Sequence, residues 1–182
     1  MFGNCSILGR WFSFSILILA SALPAVCAQE GSINEIKYKE DYDRIQNIVK
    51  INNLVKRSDQ IIKLYEDRKD MNPQLQDYTD GILADDMEGL LKQGNYIAVR
   101  GLSERALKLR PKFGQMYLFY GVALKNEKKT EEALLAFAKG SLLKSRYQAR
   151  AKQQFDITYR STTGGSLVGQ DKIIAKAKAE LE

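Results

Sequence analysis

The chain is 182 residues long, and its 28 Lys and Arg against 22 Asp and Glu give a net charge of +6 at neutral pH. It has no histidine, so it lacks the commonest general base and the commonest metal ligand, which excludes Ser-His-Asp hydrolases and histidine-ligated zinc enzymes. Asp85 and Asp86 are adjacent and point apart on a helix, so we interpret them as a solvated face and expect no enzyme, no cofactor and no metal site.

The first 28 residues have the pattern of a secretory signal peptide. Arg10 is their only charge, an apolar run covers residues 11–23, and small residues end the segment at Ala28. We expect cleavage after Ala28 and export to the periplasm, the cell envelope or the exterior. Cys5 and Cys27 would be lost with this leader, which leaves a mature chain without thiols. An uncleaved membrane anchor is the alternative, since residues 11–28 approach the length of a membrane span.

Residues 29–79 are predicted to form an N-terminal helical cap. A stripe of apolar side chains among charged neighbours predicts a helix over 35–57. Ser58 and Asp59 are typical helix-capping residues and predict the start of a second helix. Asn72 and Pro73 predict a third start, with Asn72 as the cap and Pro73 at the first helical position. This third helix is expected to continue into the next segment.

Residues 80–147 carry one pattern of side chains twice, and Pro111 and Ser145 mark the same place in the two copies. A fixed period of about 34 residues is typical of stacked helical hairpins. Spacings of three and four put the patterned residues on one face of each helix, where small residues let two backbones approach. In the second copy these residues are Tyr117, Tyr120, Gly121, Leu124, Ala133, Phe137 and Gly140, and in the first they are Leu90, Gly94, Tyr96, Ala106 and Pro111. The chain is expected to bend over 92–96 and over 125–130.

These positions resemble the tetratricopeptide repeat (TPR) family over residues 80–147. The resemblance implies an all-α fold, a right-handed stack of antiparallel helix hairpins with capping helices at both ends. An ordinary helical bundle with accidental periodicity is the alternative. Residues 148–182 predict two more helices, over 150–159 and 170–181, which we interpret as a degenerate repeat or cap. The glycine-rich loop between them lacks the lysine that a phosphate-binding loop requires.

In TPR proteins the first helix of each hairpin lines a concave face, so the resemblance implies where a partner would bind. The residues it places there are Gln115, Leu118, Val122, Lys125 and Asn126 in the second copy. A mixed apolar groove of this kind suits an amphipathic helix or an extended peptide of another protein. Such a protein acts as an adaptor or assembly scaffold. The alternative is that the flanking helices fill the groove.

A basic stretch follows the second copy. No acid occurs between Glu132 and Asp156, and we expect Lys144, Arg146, Arg150 and Lys152 to converge on one end of the molecule. Converging cations favour an acidic protein or peptide partner, and we expect no nucleic-acid partner. A solvated surface is the plain alternative. A second candidate function is a membrane-associated structural protein, held by an uncleaved N-terminal segment or by the basic stretch 139–152.

Overall fold

The computed structural model describes the backbone of residues 23–182 and the side chains of 34–182, so most of the predicted leader lies outside the described residues. All the regular secondary structure in these residues is helical, which confirms the all-α class. The helices are α1 (Leu23–Val49), α2 (Leu54–Asp67), α3 (Pro73–Lys92), α4 (Tyr96–Leu109), α5 (Gly114–Asn126), α6 (Thr130–Leu142), α7 (Gln148–Thr162) and α8 (Gln170–Ala179). The hydrophobic core lies in the unit Tyr38–Glu182.

The start of α2 differs from the prediction. The first helix ends at Val49 instead of continuing to residue 57, and α2 is capped by Asn53, whose side chain accepts a hydrogen bond from the backbone N–H of Lys56. The prediction that Ser58 caps this helix is wrong, because Ser58 lies within α2, where it is buried and its hydroxyl donates to the carboxylate of Asp86. The predicted start of α3 is confirmed, since Asn72 accepts from the N–H of Gln74 and Pro73 opens the helix.

The predicted bends between the repeat helices are confirmed. The chain turns between α3 and α4 through Gly94, whose φ of 71° is a backbone conformation that glycine adopts without strain. It turns again between α5 and α6. Helix α4 begins at Tyr96 and α6 at Thr130, while α5 begins at Gly114 and α7 at Gln148. Both offsets equal the separation of Pro111 and Ser145, so these four helix starts follow the period of the sequence, whereas α3 begins at Pro73, 41 residues before α5.

Consecutive helices pack against each other from α2 through α7. Helices one further apart also touch, namely α2 with α4, α3 with α5, α5 with α7 and α6 with α8. Short connections between packed helices make neighbours antiparallel. Helices α3, α5 and α7 consequently lie side by side. Within the described residues, no helix is both long and apolar enough to span a membrane.

Small residues set the spacing between these helices. A Cβ atom on Gly121 would lie 2.6 Å from two ring carbons of Phe137, so the α5 backbone rests directly on that ring. This confirms the predicted contact between Gly121 and α6. A Cβ on Gly140 would lie 3.3 Å from the Cβ of Tyr117 and 3.1 Å from that of Ala151. Helix α6 is thus held closely between α5 and α7.

Candidate partner-binding face

The residues predicted to line a groove on α5 differ in their exposure. Leu118 is 1% exposed and Gln115 is 9% exposed, and the side-chain amide of Gln115 donates to the backbone carbonyl of Asp80 at 3.3 Å. Val122 is half-buried, whereas Lys125 and Asn126 are exposed at the C-terminal end of the helix. The face is therefore closed near the start of α5 and accessible near its end.

Two ion pairs join α3 to the α7 side of this face. An Nη atom of Arg146 lies 2.6 Å from an Oδ atom of Asp85, and an Nη atom of Arg150 lies 2.7 Å from an Oε atom of Glu88. Because α3 and α7 both pack against α5, these pairs reach from one neighbour of α5 to the other. All four side chains keep contact with solvent, so each pair contributes only about 0.2–1 kcal/mol.

The predicted convergence of four cations is not what the structure shows. Arg146 and Arg150 are paired with carboxylates of α3, and Lys152 is paired within α7 with Asp156. Lys144 lies in the loop before α7, where it lines a pocket together with Arg146. Only part of the predicted basic cluster therefore meets at one site.

That pocket, here called the loop pocket, has a volume of about 440 Å³ and lies where the α4–α5 and α6–α7 loops meet the early turns of α3 and α5. Four cations from the two loops line it together with two carboxylates of α3. Its lining residues are Asp77, Asp80, Gly81, Arg110, Lys112, Phe113, Gly114, Gln115, Lys144, Ser145 and Arg146. The sequence prediction included Gln115, Lys144 and Arg146 but not the others.

Arg110 is held rigidly at one side of the loop pocket. Its two terminal nitrogens both bond the carboxylate of Asp80, and its guanidinium lies 4.3 Å from the ring centroid of Phe113 and 5.1 Å from that of Tyr65. The Tyr65 hydroxyl donates to the same carboxylate at 2.6 Å. Burial, reinforced by the charge of Asp80, raises the pKa of Tyr65 well above its usual range, so this hydroxyl stays a donor.

The missed pocket residues do have a signal in the sequence. Arg110 and Lys112 flank Pro111, and Lys144 and Arg146 flank Ser145, one repeat period later. Stacked repeats bring equivalent loops together, so a basic pair at the same place in two successive loops predicts a cluster of cations.

A second charged group lies at the packing of α2 against α3. Asp86 is fully buried, and it accepts hydrogen bonds from the guanidinium of Arg57, at 3.0 Å from Nε, and from the hydroxyl of Ser58 at 3.2 Å. Asp86 is therefore not part of a solvated face, and only its neighbour Asp85 is exposed. The hydrogen bond to Asp86 raises the pKa of Arg57, which keeps the guanidinium charged.

Residues 34–182 contain no cluster of three or more acidic, histidine or cysteine side chains suited to a metal ion. The candidate surfaces considered for partner binding are the α3, α5 and α7 face and the loop pocket. Comparison with family models, with curated proteins and with solved structures finds no match to this chain.

Proposed function

We propose that this protein is a tetratricopeptide-type binding module that holds a segment of another protein and acts without catalysis, as an adaptor or assembly scaffold. The observation that carries the proposal is the agreement between the sequence period, the helix starts and the small-residue contacts. Gly121 and Gly140 lie at close helix approaches, which is the role that the TPR resemblance gives to these positions. An ordinary bundle has no reason to repeat its helix starts at one period.

We place the partner on the face formed by α3, α5 and α7. Near the C-terminal end of α5 this face offers half-buried Val122 and Leu91 beside exposed Lys125 and Asn126. An apolar floor with a polar rim suits one side of an amphipathic helix or an extended peptide. Gln115 and Leu118 are buried toward the start of α5, so the partner is expected to bind toward Lys125.

A peptide-library selection on the full chain tests this proposal. We expect selected peptides to bind the Lys125→Glu variant about five-fold more weakly or more tightly, according to their charge, because the exposed lysine contacts them directly. The matched control is Lys63→Glu on α2, which makes the same charge change away from the face. Affinities are measured by fluorescence anisotropy. Failure to select any peptide, or equal effects of the two variants, would show that this face is not a peptide-binding surface.

We further propose that the module is exported and works in the periplasm or cell envelope, because residues 1–28 have the composition of a cleavable signal peptide. The purified protein is expected to begin near Gln29. Intact-mass measurement of the protein from its native membrane and soluble fractions checks this. A retained leader in the membrane fraction would favour the membrane-associated structural protein instead.

A further inference from the structure

We propose that the loop pocket binds a carboxylate of an acidic peptide segment. This inference rests on the proposed function in one respect, that the peptide belongs to the partner protein. The pocket is separate from the face near Lys125, because it lies at the opposite end of α5, around Gly114. A partner that reaches both places would be anchored at its acidic end by charge and along its length by apolar contact.

One wall of the pocket is pre-organised for an anion. Arg110 is held by both oxygens of Asp80 and by contact with the rings of Tyr65 and Phe113, yet 26% of its side chain remains exposed. A guanidinium has five N–H donors, and Asp80 does not use all of them. Because the side chain is already immobilised, binding a second carboxylate costs little further conformational entropy.

The two loops also supply cations that the protein does not neutralise. Lys112 and Lys144 are exposed and come from the two loops that are one repeat apart. Within residues 34–182, neither lysine forms an ion pair, whereas Arg110 and Arg146 are paired with Asp80 and Asp85. The two lysines are therefore the groups that an incoming anion would meet first.

The acidic residues of the pocket indicate which anion fits. Asp77 and Asp80 line it beside the four cations, so the net charge of the lining is modest and positive. The net positive charge attracts carboxylates and phosphates alike, so the two acidic residues are what distinguish between these ligands. Asp77 can in addition accept an N–H from the peptide backbone that carries the carboxylate. This mixture suits an acidic peptide better than a nucleic acid or a lipid phosphate.

The test uses the full chain and two capped tetrapeptides, one of glutamate and one of glutamine, each labelled with a neutral dye. We expect the glutamate peptide to bind more tightly, and Lys112→Gln combined with Lys144→Gln to weaken it about five-fold, since two exposed charge contacts are removed. The control is Lys63→Gln combined with Lys172→Gln, two exposed lysines that do not line the pocket. Binding should also shift the amide resonances of Gly114 and Ser145.

Three results would overturn the proposal. The glutamate peptide could fail to bind at low salt, or both lysine pairs could weaken it equally, which would leave only an effect of net charge. Inorganic phosphate could displace the peptide at a lower concentration than the unlabelled peptide does, which would make the pocket a general anion site. If library-selected peptides still depend on Lys125 in any of these cases, the binding function stands and only the pocket assignment fails.

Discussion

Asp86→Ala will lower the free energy of unfolding by about 3 kcal/mol, because it breaks a buried ion pair. The substitution leaves Arg57, whose side chain is 21% exposed, without its carboxylate, and it leaves the buried hydroxyl of Ser58 without an acceptor. Removing one partner of a buried ion pair typically costs about 3–5 kcal/mol, and the partial exposure of Arg57 puts this case at the lower end. Urea denaturation followed by circular dichroism measures the loss.

The neighbouring residue provides the matched control. Asp85→Ala removes a carboxylate from the same helix, but its ion pair with Arg146 is exposed, so we expect a loss of less than about 1 kcal/mol. Replacing Arg57 by Met together with Asp86 by Leu should recover most of the stability, because no uncompensated charge remains. If Asp86→Ala and Asp85→Ala unfold at the same urea concentration, the buried pair does not hold α2 to α3.

Helix boundaries set by local chemistry could be predicted from the sequence. Asn72 and Pro73 form the start of α3 with their own side chains, and Gly94 supplies the left-handed turn between α3 and α4. No distant contact is needed for either. The agreement of the sequence period with the helix starts has the same origin, because each repeat carries its own stop and start residues.

Positions decided by tertiary contacts could not be predicted in this way. Ser58 has the chemistry of a cap, yet Asn53 caps α2 five residues earlier, and the hydroxyl of Ser58 donates instead to buried Asp86, which is 28 residues away. Helical spacing puts Asp86 on the face of Leu83 and Leu90, while Asp85 lies off that face. The sequence does not show that Arg57 and Ser58 of α2 are the partners of the buried carboxylate.

The same distinction between local sequence signals and tertiary contacts applies to the candidate site. Lys125 is exposed at the end of α5, the helix to which the TPR resemblance assigned a partner-binding face, and that assignment stays a prediction. Leu118 on the same helix is buried, and two arginines beyond α6 form ion pairs with α3. Side-chain reach across a third helix has no sequence pattern. Helix α8 does not follow the sequence period. It begins at Gln170, later than one period after the start of α6, because the loop after α7 is longer than the earlier bends.

Gly121→Leu is expected to lower the free energy of unfolding by about 1–3 kcal/mol, the usual cost of overpacking a core. Phe137 is fully buried, and a Cβ atom alone at position 121 would already lie 2.6 Å from its ring. The ring is enclosed by the core, and the α5 backbone cannot retreat from α6 without opening other contacts. The larger side chain therefore forces the two helices apart. Thermal unfolding of the two proteins under identical conditions measures the difference.

A substitution at Gly101 provides the control, because it shows the effect of removing a helical glycine where no clash occurs. Gly101 lies on the exposed side of α4, and a Cβ atom there would meet nothing within 4 Å. Substituting alanine for a glycine inside a helix stabilises it by about 0.5–1 kcal/mol when the space is open. Gly101→Ala should therefore raise the melting temperature, while Gly121→Ala, with the same gain in helix propensity, should lower it. If the two alanine variants shift in the same direction, Gly121 is not at a close helix contact, and the packing evidence for the repeat assignment is lost.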